Sequence, residues 1–186
     1  MRIVSGKWRG RRLRTPKGRS VRPTADRVRE AIFNILGDRT EGARVLDLFA
    51  GTGALGLEAL SRGASSAVLV ESDPRAFEVL RRNVLELGAA GAETLLMESR
   101  AALRTLRRRR IRFGLVFLDP PYGQGIAGDA AADLEGAGVL ESGGTVVVEE
   151  AARAEEPPFP AGWERAVDRR YGETRVMIFT VGKEQG

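Results

Sequence analysis

The sequence predicts an α/β protein whose sheet is mostly parallel and ends in an antiparallel pair. Short apolar runs alternate with stretches of helical spacing between residues 44 and 149. Strands that are apolar along their whole length are typical of a parallel sheet covered by helices on both faces. Near the end of the chain, Gly172 and Glu173 join two extended segments, and a connection of two residues forces antiparallel pairing.

The elements follow from local spacing. We expect an irregular hairpin or extended arm over residues 2–14, and then a helix capped by Thr24, with Val28, Ile32 and Leu36 on one face and Gly37 closing it. The expected strands span residues 44–49, 67–71, 93–97, 114–118, 144–149, 164–171 and 174–181. The expected helices between them span residues 53–62, 74–87, 100–110 and 127–137.

Composition excludes several classes of function. The 186 residues include no His and no Cys, which excludes a histidine-based catalytic relay, zinc-finger sites and disulfides. No run of about 18 apolar residues is present, and no apolar segment follows the basic N-terminus, so we expect neither a membrane span nor a secretory signal. We therefore expect a single-domain, monomeric protein that lies in the cytoplasm and binds no metal.

Positive charge is concentrated at the N-terminus. The first 30 residues hold 11 Lys and Arg against two acidic residues, a charge of +9 in a chain whose total is +5. Guanidinium groups bind phosphate and stack on bases, so this segment favours RNA binding, although a solvated surface stretch in an arginine-rich proteome is the alternative. A second group of arginines is interpreted as a solvated helix end: Arg104, Arg107, Arg108, Arg109, Arg110 and Arg112.

A glycine-rich stretch follows the first strong strand. Gly51, Gly53 and Gly56 have the G-x-G-x-x-G spacing that lets a backbone approach a ligand at a helix N-terminus. Glu71 ends the next strand, where a carboxylate can accept hydrogen bonds from ribose hydroxyls. A nucleoside cofactor is predicted, and the alternatives are a nicotinamide-dependent oxidoreductase or a tight turn without a ligand. Asp47, just before the glycines, would repel a pyrophosphate but suits the cationic amino-acid end of S-adenosylmethionine.

The tetrapeptide Asp119-Pro120-Pro121-Tyr122 directly follows an apolar strand. Asp119 and the free carbonyl oxygen of Pro120 can accept both hydrogens of one exocyclic amino group, and Tyr122 offers a flat face to its base. Two such acceptors favour the tetrahedral nitrogen that attacks a methyl group, so the motif predicts methyl transfer to a base amine by positioning and hydrogen bonding. A rigid turn without function is the alternative.

Five stretches of the sequence carry a resemblance to known families. The residues DLFAGTGALGLEALSRGA from Asp47, then VESDP and LDPPY, look like the S-adenosylmethionine-dependent amino methyltransferases. The residues RIVSGKWRGR from Arg2 and RPTADRVREAIFN from Arg22 resemble the RsmD family of bacterial small-subunit rRNA guanine-N2 methyltransferases. The resemblance implies a Rossmann-like, seven-stranded methyltransferase sheet with a C-terminal antiparallel hairpin, preceded by an RNA-binding extension. We accordingly divide the chain into residues 1–23 and 24–186.

The resemblance also implies a reaction and its residues. The substrate would be a guanine of 16S rRNA, position 966 of that RNA, in the small subunit or its assembly intermediate, and the cofactor S-adenosylmethionine. The catalytic residues would be Asp119, Pro120, Pro121 and Tyr122. The cofactor-binding residues would be Asp47, Phe49, Ala50, Gly51, Thr52, Gly53, Glu71, Ser72, Ser99 and Arg100. The RNA-binding residues would be Lys7, Trp8, Arg9, Arg11, Arg12, Arg14 and Arg22.

One position departs from the family pattern. Where relatives often place Asp or Asn before an Ala to hold the adenine of the cofactor, this chain has Arg100 before Ala101, and Ser99 or a backbone group is the expected substitute. Two other functions stay open on the residues alone. A DNA or RNA adenine-N6 methyltransferase would use the same tetrapeptide, and an RNA-binding assembly factor would need no catalysis.

Overall fold

A seven-stranded sheet with helices on both faces forms the centre of the computed structural model. The structure describes residues 1–15, 23–121 and 125–182. The helices are α1 (Pro23–Leu36), α2 (Ala54–Ser61), α3 (Pro74–Leu87), α4 (Ser99–Arg108) and α5 (Ile126–Ala137). The strands are β1 (Arg44–Asp47), β2 (Ser66–Glu71), β3 (Ala92–Leu96), β4 (Phe113–Leu118), β5 (Leu140–Ala151), β6 (Trp163–Tyr171) and β7 (Thr174–Val181).

The strand order is β3-β2-β1-β4-β5-β7-β6. Strands β1 to β5 run parallel, and β7 lies antiparallel between β5 and β6. The parallel sheet and the terminal antiparallel pair are therefore confirmed. Strand β5 begins at Leu140, earlier than the predicted residue 144, and helix α1 begins at Pro23, so Thr24 lies within the helix rather than at its cap.

Two hydrophobic clusters lie on the two faces of the sheet. On one face, α1, α2 and α3 cover residues such as Val45, Phe117 and Val147, while on the other α4 and α5 cover residues such as Val116 and Val148. These neighbours in sequence alternate between the two clusters, as the period of a strand requires. Within the described ranges, no helix has both the length and the apolar character needed to cross a bilayer.

Residues 1–14 form an irregular hairpin, which we call the N-terminal hairpin. Arg2 and Arg12 form an antiparallel bridge, and the Ile3 N–H donates to the Arg11 carbonyl oxygen at 2.9 Å. Ile3 and Leu13 are buried in the same hydrophobic cluster as α1 to α3. Of the two predicted forms, hairpin or extended arm, these contacts give the hairpin, which packs on the sheet domain.

A buried carboxylate holds this hairpin in place. Glu58 of α2 is fully buried, and its oxygens accept hydrogen bonds from the N–H groups of Val4 at 2.7 Å and Ser5 at 3.0 Å. Its charge is balanced by Arg62 at 2.7 Å and by Arg29 of α1 at 3.6 Å. The hairpin, α1 and α2 thus share one ionic centre.

Candidate active site

The two sequence motifs meet at the middle of the sheet. Strands β1 and β4 pair in register, with Asp47 beside Phe117, and the Leu48 N–H donates to the Phe117 carbonyl oxygen at 3.1 Å. The other neighbour of β1 is β2, so the strand order reverses at β1. Ligands of open α/β sheets bind in the crevice at such a reversal, beyond the carboxyl ends of the strands. Asp119, two residues after Phe117, therefore lies across this crevice from the glycine stretch.

The glycine stretch is a tight turn between β1 and α2. Gly51 and Gly53 have positive φ angles of 54° and 84°, a conformation that side chains disfavour. A Cβ on Gly53 would lie 2.5 Å from a methyl carbon of Leu80, whereas a Cβ on Gly51 would meet nothing within 4 Å. Gly53 therefore packs inward against α3, and the outer side of Gly51 is open to a ligand.

Glu71 closes the other side of the turn. One of its carboxylate oxygens accepts a hydrogen bond from the Gly51 N–H and the other from the Asp73 N–H, both at 2.8 Å. A carboxylate offers about four acceptor positions, so acceptors remain for two hydroxyl groups. Ser72 is exposed beside it. Glu71 is thus placed where the sequence predicts a ribose contact.

Asp47 is buried beneath the turn, with only 1% of its surface exposed. Its Oδ2 accepts a hydrogen bond from the Gly56 N–H at 3.1 Å, while its Oδ1 has no partner among the described residues. The pKa of Asp47 is raised from 3.8 to about 7, mainly by burial. The charges of Asp119 and Glu71 contribute to this rise, and the Gly56 and Phe49 N–H groups oppose it. A cationic ligand group above this carboxyl would supply the missing partner.

The Asp-Pro-Pro segment follows β4 at the same edge. Asp119 is half-buried, Pro120 is buried and Pro121 is exposed. Burial raises the pKa of Asp119 from 3.8 to about 7, and the neighbouring Glu150 contributes by repulsion. Tyr122 lies outside the described residues.

Sequence reasoning missed the acidic end of β5 and a cation from α1. Glu149 and Glu150 follow the apolar part of β5, whose Val148 pairs with Leu118 of β4. Burial raises the pKa of Glu149, the charges of Asp119 and Asp47 also raise it, and Arg29 opposes the rise. The sequence did contain a signal for this acidic end. It is the pair of glutamates after a run of valines, on the strand that follows the Asp-Pro-Pro segment.

The other residues predicted to bind the cofactor fall into two groups, those at the crevice and one that is directed away from it. Phe49, Ala50 and Thr52 lie in the turn itself, and Ser99 is half-buried at the first position of α4. Arg100 is directed elsewhere, because its exposed guanidinium pairs with Asp133 of α5 at 2.6 Å. The prediction that Arg100 contacts the cofactor is not supported by this geometry.

The predicted RNA-binding residues lie on the N-terminal hairpin, except Arg22, which is outside the described residues. Lys7, Arg9 and Arg12 are exposed, and the Lys7 ammonium lies 4.3 Å from the centre of the Trp8 ring, itself half-buried. The side chains of Arg11 and Arg14 are also exposed, but both donate hydrogen bonds to Glu86 at the end of α3, one to its carbonyl oxygen and one to its carboxylate, each at 2.6 Å.

One buried side chain connects this hairpin with the glycine turn. Asn83 of α3 accepts a hydrogen bond from the Arg14 N–H at 2.7 Å. Its amide nitrogen donates to the carbonyl oxygens of Arg14 at 3.1 Å and Thr52 at 2.9 Å. The basic hairpin is therefore fixed directly beside the candidate site.

Comparison with known proteins identifies the family. The family model described as "Conserved hypothetical protein 95" matches residues 1–180. The chain is 36% identical to the ribosomal RNA small subunit methyltransferase D of Escherichia coli K12 over 96% of this chain and 89% of that protein. It is also 36% identical to the putative rRNA methyltransferase YlbH of Bacillus subtilis, over 96% of this chain and 98% of that one.

A solved structure agrees in fold. The putative methyltransferase yhhF of Escherichia coli superposes with a TM-score of 0.88, at 35% identity and with 99% of each chain covered. Both the crevice at the strand reversal and the hairpin therefore belong to a fold shared along the whole chain. On sequence and structure together, the protein is a member of the Conserved hypothetical protein 95 family, which is the RsmD family of RNA methyltransferases.

Proposed function

We propose that this protein transfers a methyl group from S-adenosylmethionine to N2 of a guanine in 16S rRNA. The substrate would be the small ribosomal subunit or its assembly intermediate, and the enzyme would act on it as a monomer in the cytoplasm. The observation that carries the proposal is the position of Asp119 and Pro120 across the crevice from the glycine turn. The relatives named for small-subunit rRNA methylation support the substrate class.

The residues of the crevice fit the proposed cofactor. Glu71 has acceptors left for the ribose hydroxyls, and the open side of Gly51 admits close approach of a ligand. The unpartnered Oδ1 of Asp47 suits the cationic amino group of the methionine part. When bound, S-adenosylmethionine supplies an electrophilic methyl group on a sulfonium sulfur.

Asp119 prepares the attacking nitrogen. The lone pair of an exocyclic amine is delocalised into the base, so the free amine is a poor nucleophile. Acceptors held by Asp119 and by the Pro120 carbonyl would favour the tetrahedral nitrogen and stabilise the positive charge that develops on it. Fixed groups at the strand end would also align this nitrogen for in-line attack.

The N-terminal hairpin would hold the RNA. Its exposed cations lie on a rigid surface, since Ile3 and Leu13 are buried in the core, and Asn83 joins that surface to the glycine turn. Contacts from guanidinium groups to phosphates would supply affinity and orientation, while the target base is unstacked into the crevice.

The test is methylation of small subunits that lack the modification. With labelled S-adenosylmethionine, the wild-type protein should label one guanine at N2, and the Asp119→Ala variant should be slower by about 100-fold or more, or about 3 kcal/mol, as expected for loss of a preorganised polar group. Asp38→Ala, which removes an exposed carboxylate after α1, is the matched control and should keep full activity.

Other outcomes would contradict the proposal. Labelling of DNA adenine with none on RNA would identify an adenine-N6 enzyme. Thermal stabilisation by NADH and not by S-adenosylhomocysteine would identify an oxidoreductase. Full activity of Asp119→Ala would show that the tetrapeptide has no catalytic role.

A further inference from the structure

Glu149 lies beside the proposed target-base site. Leu118 of β4 pairs with Val148 of β5 in parallel register, so the next residues, Asp119 and Glu149, come side by side at the carboxyl end of the sheet. Alternation along β5 places Glu149 on the same face as Val147, which is the face covered by α1. The crevice therefore has a second carboxyl group next to the one that holds the exocyclic amine.

The environment of Glu149 differs from that of the other enclosed glutamates. Glu58 accepts hydrogen bonds from Val4 and Ser5, and Glu150 accepts one from the Ala151 N–H at 2.8 Å. No hydrogen bond to the half-buried Glu149 side chain comes from the part of the chain that the structure describes. Within the described ranges, its acceptors are therefore open to a ligand.

The charged groups that face Glu149 come from three elements. Burial raises its pKa well above the usual value, and repulsion from Asp119 after β4 and Asp47 at the end of β1 adds to the rise. Arg29 of α1 is the cation that opposes them. A hydrogen-bond donor from a ligand would stabilise the ionised carboxylate in the same way.

The bases differ at the ring nitrogen next to the exocyclic amine. In guanine, one of the two ring nitrogens beside the amine-bearing carbon, N1, carries a hydrogen, whereas in adenine and cytosine the single ring nitrogen beside that carbon has a lone pair. We propose that Glu149 is a specificity-determining residue whose carboxylate accepts a hydrogen bond from N1–H of the guanine held at Asp119. This inference rests on the proposed function. A base without that hydrogen would leave a carboxylate facing a lone pair, and sites of this kind reject such analogues strongly.

The experiment compares guanine with 2-aminopurine at the target position of reconstituted small subunits. Both bases have the N2 amine, but N1 of 2-aminopurine carries no hydrogen. We expect the wild-type protein to prefer guanine strongly in kcat/KM. In Glu149→Gln this preference should fall at least about tenfold, because an amide can either accept from N1–H or donate to N1. Glu141→Gln makes the same change at the opposite end of β5 and should keep the wild-type preference.

Each result has a distinct meaning. Equal rates of the wild-type protein on the two bases would overturn the role of Glu149 without any variant. An unchanged preference in a Glu149→Gln variant that still binds S-adenosylhomocysteine would overturn it as well. Failure of the wild-type protein to methylate guanine in RNA would instead refute the proposed function.

Discussion

Replacement of Glu58 by Ala should detach the N-terminal hairpin from the sheet domain. The substitution removes the acceptor for the Val4 and Ser5 N–H groups and the partner of Arg62. It also leaves Arg29, whose side chain is 4% exposed, with Asp26 as its remaining carboxylate partner, at 3.0 Å. The variant therefore loses stability for two reasons: two backbone N–H groups lose their acceptor, and a buried guanidinium loses one of its carboxylate partners.

The expected loss is large for one side chain. Removing one member of a buried ion pair typically lowers the free energy of unfolding by about 3–5 kcal/mol. For a chain of this size each kcal/mol changes the melting temperature by about 2–4 °C, so the Glu58→Ala variant should melt about 6–20 °C below the wild-type protein.

Thermal and urea unfolding followed by circular dichroism would measure this change. The matched control is Glu86→Ala, which breaks the ion pair with Arg14 in which both side chains are about half exposed. Exposed pairs contribute up to about 1 kcal/mol, so the control should melt within about 4 °C of the wild-type protein. A Glu58→Ala variant that behaves like this control would refute the role of Glu58 in holding the hairpin.

Two further predictions concern charge. Because folding raises the pKa of Asp47 from 3.8 to about 7, the folded protein binds more protons than the unfolded chain between those values, and wild-type stability should fall as pH rises from about 4 to about 7. Asp47→Asn keeps an acceptor for Gly56 and should weaken this decline, which melting temperatures at pH 5 and pH 8 would show; parallel profiles would contradict the assignment. For RNA, the double variant of Arg9 and Arg12 to Ala should reduce the slope of log affinity against log salt by about 2, since each guanidinium that contacts a phosphate contributes about 0.9. An unchanged slope would show that these two side chains contact no phosphate.

Most of the fold could be predicted because the strands are continuous in apolar character. Strand β5 shows where that signal fails. Its first residues include Glu141, Gly143 and Gly144, which are typical of a turn, and Gly143 has a φ of 74°. The strand continues through them because the pairing with β4 shifts register between Phe113 and Leu115. Only the neighbouring strand could have revealed this irregularity.

The candidate site was likewise predictable from the sequence only in part. The sequence was enough to find the glycine turn, Asp47 and Glu71, because residues close together along the chain determine the geometry of that part of the site. The contacts of Glu58 and the position of Glu149 could not, since the partners of Glu58 are distant in sequence and only the register of β4 with β5 brings Glu149 beside Asp119. The ion pair of Arg100 with Asp133 could not be predicted for a related reason, because the two residues are 33 positions apart in the chain.

The anchoring of the N-terminal hairpin has a consequence for synthesis of the chain. The hairpin is made before its partners in the sheet domain, since the contacts of Val4 with Glu58 and of Arg14 with Asn83 span 54 and 69 residues. Until α3 has been made, this strongly basic segment lacks the partners of Arg11 and Arg14. Its docking must therefore be a late step, and a nascent chain stopped before α3 should expose the hairpin to protease.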